Sequence, residues 1–182
     1  GDLEGLTVTP AEDSDADFSL SVTATSTEAD GGDSESVTGT INVSVDADAD
    51  APTLVMDDSA SGTEDGAISL DIASGLTDTD GSESLSITIE GVPEGAELSA
   101  GTDNGDGTWT LESGDLEGLT VTPAEDSDAD FSLSVTATST EGDGGDSESV
   151  TGTINVSVDA DADAPTLVMD DSASGTEAGA TS

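Results

Sequence analysis

The sequence predicts an all-β fold, an antiparallel sandwich of about seven short strands, repeated in tandem every 113 residues. Three observations carry this. "FSLSVTAT" (Phe18–Thr25 and Phe131–Thr138), "INVSV" (Ile41–Val45 and Ile154–Val158) and "LSITIEG" (Leu85–Gly91) alternate apolar with small polar residues, the period of half-buried strands. "DTDGSE" (78–83), "GVPEG" (91–95), "DNGDG" (103–107) and "GDGGD" (142–146) punctuate them with turn chemistry. The segment that begins at Gly1 begins again at Gly114, and residues 1–69 differ from 114–182 only at Ala29/Gly142, Asp65/Ala178 and Ile68/Thr181.

The repeat sets the domain boundaries. Residues 51–163 form one complete repeat, 1–50 the C-terminal part of a preceding one and 164–182 the N-terminal part of a following one. A unit of this length has the size of an independently folding domain and exceeds a solenoid repeat. Within it, strands are expected at Thr53–Met56, Ala67–Ile72, Ser84–Glu90, Ala96–Ser99, Thr108–Glu112 (resuming at Leu119–Thr122), Asp130–Thr138 and Ser149–Val158. Short strands with turns at this spacing predict an immunoglobulin-like sandwich. Its core is Leu, Ile and Val with Phe131 and Trp109, a thin core for the chain's size. The leading part has no counterpart of 51–113 of its own, so its order depends on something that completes it.

Charge dominates the composition. The chain of 182 residues has 43 Asp and Glu and no Lys, Arg or His, a formal charge of −43. Binding to nucleic acid or to an anionic membrane is excluded electrostatically, because nothing can meet a phosphate. Self-repulsion on this scale opposes compaction and, with low hydrophobicity, ordinarily accompanies disorder. The patterned apolar residues argue for folding, so cations must neutralise the chain, as bound divalent metal or as generic high salt. No apolar run reaches the ~18 residues of a membrane helix. There is no Cys for a disulfide, and "GDLEGLTVTP" lacks the features of a secretion signal.

The acids are clustered. "DADADAPTL" stands at 46–54 and 159–167, placing Asp46, Asp48 and Asp50, and likewise Asp159, Asp161 and Asp163, in the segments between repeats. In an extended chain such a row points to one side at roughly 7 Å spacing. "EDSDAD" supplies Asp126, Asp128 and Asp130, and in the leading copy Asp13, Asp15 and Asp17; "DTDGSE" supplies Asp78, Asp80 and Glu83. Counting strands up and down places turns 78–83 and 142–148 at the upstream end of the repeat. Loop 124–131, Glu64 and linker 159–163 fall at the downstream end. Acids of two repeats and their linker thus converge at each junction. Calcium, which takes six to eight oxygen ligands, suits an all-oxygen set; zinc and softer metals favour the His and Cys this chain lacks.

Each cluster has a simpler reading: a self-repelling linker for "DADAD", a type I turn for "DTDGSE", solubilising charge for "EDSDAD". For "DNGDG" the hairpin-turn reading is preferred over a metal role, and "EGDGGDSE" is open between the two. EF-hand spacing and the glycine-rich nonapeptide calcium repeat are both missing.

In order along the repeat come a Pro-led first strand, "GTEDG" (62–66), "LTDTDGSESLSITIEGVPEGAEL" (76–98), "NGDGTWTL" (104–111) and "DFSLSVTATSTE" (130–141). This succession resembles the cadherin-like and bacterial immunoglobulin-like repeats of giant RTX-type adhesins, over the whole repeat. The resemblance implies a calcium-rigidified extender module that holds an adhesive domain away from a bacterial surface for attachment and biofilm formation. It also implies secretion, with the signal outside this window. By matching motifs, Glu64, Asp126, Asp128, Asp130, Asp159 and Asp161 would form one side of a junction site. Asp78 and Asp80 would be the DxD facing the previous linker, Asp46–Asp50. The linker "DADADAP" departs from the Asx-rich cadherin form, which leaves its individual ligands open. Partners are then neighbouring repeats of the same chain, with no small-molecule substrate.

An enzyme is not expected, since only carboxylates and hydroxyls are available for chemistry and Trp109 alone could stack on a sugar. The main rival is a halophilic surface-layer or stalk protein whose acidity serves hydration. That role calls for evenly spread charge, whereas Phe131–Thr140 and Thr151–Val158 contain no acid and the loops are crowded.

Overall fold

The computed structural model describes residues 4–11, 14–78, 81–142, 145–172, 174 and 177. Its regular structure is β-strand apart from one 3-10 turn, Ser113–Asp115. Strands β1 (Phe18–Thr27) and β2 (Ser34–Val43) form a separate hairpin. The complete repeat holds β3 (Thr53–Met56), β4 (Ser59–Thr63), β5 (Ile68–Ser69), β6 (Ile72–Gly75), β7 (Glu83–Glu90), β8 (Glu97–Leu98), β9 (Thr102–Asp103), β10 (Thr108–Leu111), β11 (Thr120–Thr122), β12 (Phe131–Glu141) and β13 (Ser147–Asp159).

A six-stranded sheet runs β4-β13-β12-β7-β10-β9; β5-β11-β8 form a three-stranded sheet and β3-β6 a pair. Pairing is antiparallel except for β13 with β4, which is parallel from Asn155↔Ser59 to Asp159↔Thr63. Ile87 and Ile89 of β7, Leu133, Val135 and Ala137 of β12, and Ile154, Val156 and Val158 of β13 share one core with Ile68, Leu98, Leu111, Leu119 and Val121. Several sheets around one core are consistent with a β-sandwich. Phe131 and Trp109 pack partly buried against this core, as the sequence suggests.

The long strands lie where the alternation puts them. The differences sit where pairing is non-local. The segment expected as one strand, Ala67–Ile72, divides into β5 and β6, because Leu70 between them donates its N–H to Leu119 O at 2.9 Å and Asp71 O accepts from Asp57 N at 3.2 Å. Strand β4, "SASGT", has no apolar alternation. It exists because β13 offers its edge, and Gly62 lets the chain lie on Ile68, whose Cγ1 would be 2.6 Å from an added Cβ. Ala96–Ser99 shortens to β8, and β9 forms by pairing with β10 at Trp109↔Asp103. Among the described residues of the repeat, eleven strands thus replace about seven.

The same sequence appears in two environments. β1–β2 keeps the register of β12–β13 (Phe18↔Val43 against Phe131↔Val156), with matching cross-strand hydroxyl pairs, Thr23–Thr38 and Thr136–Thr151, both at 2.9 Å. Such pairs stabilise a sheet without placing like charges opposite one another. Yet Val22 is 45 % and Ile41 54 % exposed, while their counterparts Val135 and Ile154 are 0 % and 1 % exposed. Neighbouring strands, not local sequence, bury these residues.

This contrast gives an internally controlled prediction. Ile154→Ala should cost about 2–5 kcal/mol, whereas Ile41→Ala should change stability by about 0.5 kcal/mol or less. Chemical denaturation of the two variants checks it; equal effects would refute the burial difference.

Candidate metal centres

The upstream cluster is made by the sheet register. Glu83 opens β7 and Glu141 closes β12, and the two are direct cross-strand partners. Like charges facing each other across a ladder are destabilising. Asp78 joins them from the loop between β6 and β7, so that one carboxylate oxygen from each of the three lies within 4.8 Å of the others. Glu141, Asp78 and Glu83 are only 4 %, 6 % and 9 % exposed. Two unit charges 4.8 Å apart repel by roughly 3 kcal/mol at an effective dielectric of about 20. A cation held among the three would relieve that repulsion.

Glu83 ties this cluster to the linker. Its Oε1 accepts from the backbone N–H of Asp50 at 2.7 Å, while its Oε2 is buried and makes no hydrogen bond. Oε2 of Glu141 is likewise buried, and Glu141 Oε1 accepts from Ser82 Oγ at 3.4 Å. Ser139 Oγ donates to Asp50 O, and Thr77 Oγ1 donates to Ala51 O at 2.9 Å. These bonds seat the end of the linker on the complete repeat. Along the linker Ala47 is half-buried and Ala49 buried, while Asp46, Asp48 and Asp50 are exposed, the one-sided row that alternation predicts. A cavity of about 430 Å³ lies between them, lined by Asp15, Asp46, Asp48, Asp50, Asp78 and Glu141 among others.

The downstream cluster follows from the parallel pairing. β4 runs beside the end of β13, so Glu64, just past β4, lies next to the outgoing linker. Glu64 N donates to Asp159 O at 3.0 Å, and Glu64 Oε1, on a buried side chain, accepts from Asp161 N at 2.8 Å. Beyond it, carboxylate oxygens of Asp65, Asp126 and Asp163 gather within 4.8 Å, all three residues exposed. Asp65 and Asp126 adopt left-handed backbone (φ 59° and 57°), which Asp tolerates better than most residues, and Asp126 N donates to Asp65 Oδ1 at 3.2 Å. A hydrogen bond with Asp126, then the charges of Asp126 and Asp65, hold the Asp163 carboxyl above the ordinary range.

The remaining sequence candidates divide by role. Asp130 Oδ1 accepts from Val158 N at 2.9 Å and Ser157 Oγ at 3.2 Å, and Asp17 Oδ1 accepts from Val45 N at 3.0 Å in the leading copy. Both carboxylates brace a strand end. Asp159 belongs to the β13–β4 ladder; Asp128 is exposed and lies in neither cluster; Asp13 and Asp80 lie outside the described residues. In "DNGDG" the side chains serve the turn. Asp103 Oδ1 accepts from Gly105 N at 2.8 Å, and Asp106 Oδ1 from Thr108 Oγ1 at 2.6 Å, a bond that lowers the Asp106 pKa.

Sequence reasoning left Glu141, the first residue of "EGDGGDSE", open between a turn and a metal role, and missed Asp65. Glu141 had a signal: it occupies the inward phase of β12, after Leu133, Val135, Ala137 and Ser139, where an acid is out of place. Asp65 had none, and the following copy carries Ala178 at its position.

For Asp163 the sign of the pH effect follows from its raised pKa. Its charged form costs the folded chain stability above that pKa, and the cost fades as pH falls through it. A carboxyl-resolved NMR titration without divalent cations should give a midpoint above the usual ~3.9. Asp126→Asn should bring it down; an unchanged midpoint in that variant would remove Asp126 as the cause. Set against known proteins, the chain matches no family model, no curated protein and no solved structure.

Proposed function

We propose that this chain is part of a calcium-rigidified extender, a tandem array of immunoglobulin-like, cadherin-like repeats that acts as a spacer on a bacterial surface. One observation carries the reading: Glu83 binds the Asp50 amide with one carboxylate oxygen and leaves the other buried and unbonded beside Asp78 and Glu141. A buried charge without a partner is costly, and a cation coordinated by oxygen removes that cost. The donors suit calcium, which accepts six to eight oxygens at about 2.3–2.6 Å. Asp78, Glu83 and Glu141 would hold it, with the Asp46–Asp50 row close by.

The linker contacts support a stiffened joint. Glu64 holds the amide of Asp161 from the repeat behind the linker, and Glu83 holds the amide of Asp50 from the repeat ahead. Under the 113-residue offset Asp161 is equivalent to Asp48. A linker between two complete repeats is then gripped from both sides at amides two residues apart. Cation binding would offset the repulsion of the gathered carboxylates and couple folding to the ion by mass action. The absence of basic residues and the single Trp suit a spacer better than an enzyme or an adhesive module. Near-identical copies fit the same role, as does the resemblance to RTX-type adhesin repeats, which also implies an array outside the cell.

Chelation should lower the melting temperature sharply and loosen the joint in small-angle scattering. Millimolar calcium should restore both where about 0.5 M sodium chloride, which screens only exposed charge, does not. Equal rescue by sodium would favour the halophilic reading and sink this one. Glu83→Gln should weaken calcium binding about 10-fold or more, ~1.4 kcal/mol, in calorimetric titration. Unchanged affinity would exclude Glu83 as a ligand.

A further inference from the structure

The hairpin β1–β2 presents an uncovered surface. Val22, Val37 and Ile41 are exposed, as are eight of the ten residues of β1 and nine of the ten of β2. A strand face with this alternation is built to be covered, and an open edge offers unpaired backbone groups to another strand. What covers it can be read within the same chain. Residues 1–50 and 114–163 differ only at Ala29/Gly142, and in the second copy the face is closed chiefly by residues 51–113, joined by Leu116, Leu119 and Val121.

We propose that the β1–β2 hairpin is a docking surface for a second segment with the sequence of residues 51–113, joined directly ahead of Gly1. The 113-residue offset sets the junction, since residue 113 precedes Gly114 in the complete repeat. It sets the register as well. β7 pairs with β12 from Ser134↔Glu90 to Glu141↔Glu83, so a β7-like strand meets β1 from Ser21 to Glu28. Its counterparts of Ile89 and Ile87 then stand opposite Val22 and Ala24. A β4-like strand adds in parallel to the far edge of β2, as β4 does to β13. The 51–113 segment already present cannot serve, because β12 and β13 occupy it. The surface therefore requires a second segment. This inference rests on sequence identity and burial, not on any cation, so it survives failure of the calcium reading.

The chain contains no cysteine, so one introduced thiol reports on one site. Val22→Cys is made in the 182-residue chain and in a chain extended by a second copy of residues 51–113 ahead of Gly1, with Val135→Cys as the buried control, all in calcium. Thiol labelling of Val22→Cys should be fast in the shorter chain. In the extended chain it should slow by roughly 100-fold or more, toward the Val135→Cys rate, because reaction then waits for the sheet to open. Ile41→Cys provides a second reporter on β2 should Val22→Cys disturb the hairpin. Equally fast labelling in both chains would overturn the proposal. So would a protected thiol in the shorter chain together with a dimer mass, which would assign the surface to a second whole copy instead.

Discussion

Uncompensated negative charge is the constraint on which the rest of this structure depends. With 43 carboxylates and no basic side chain, every strand that packs must do so without an ion pair. Like charges opposite one another in a ladder weaken it, so the central β12–β13 pairing is built from Ser, Thr, Gly and apolar residues over most of its length. The acids are displaced to loops, strand ends and linkers. A thin aliphatic core fed by β7, β12 and β13 stays free of charge, while the cost of the charge collects at the two ends of the repeat.

At those ends the carboxylates do three distinguishable things. Some act as hydrogen-bond acceptors for backbone: Asp130 on Val158, Asp17 on Val45, Asp103 on Gly105. Oriented N–H dipoles stabilise the charge of these carboxylates. Glu64 and Glu83 grip linker amides and thereby determine how a linker meets a domain. Asp78 and Glu141 crowd against Glu83, and Asp65 and Asp126 against Asp163. The upstream cluster is buried and the downstream one exposed. Charge repulsion is consequently severe in the first and softened by water and salt in the second.

The two copies of one hairpin separate local from tertiary causes. Register is the same in β1–β2 and β12–β13, as is the hydroxyl pair Thr23–Thr38 and its counterpart Thr136–Thr151, since both follow from shared alternation and turn sequences that differ only at Ala29/Gly142. Burial is not the same, since it depends on β7, β4 and the second sheet. Val22 and Val135 are the same residue in the same local sequence, and only their neighbours differ.

The long strands, the turns between them, the repeat boundary and the convergence of acids at junctions are all legible in the sequence, because each follows from a local periodicity or an exact internal repetition. Glu64, Asp78 and Glu83 were legible as acids of the junctions for the same reason. Tertiary structure alone decided the division of Ala67–Ile72 into two strands and the parallel addition of β4. It also decided that Glu141 and Asp65 join the carboxylate clusters and that Asp130 and Asp17 accept hydrogen bonds at strand ends. Each of these depends on a partner distant in sequence, such as Leu119 for Leu70 or Glu83 for Glu141, and no local pattern encodes which distant backbone or carboxylate will arrive.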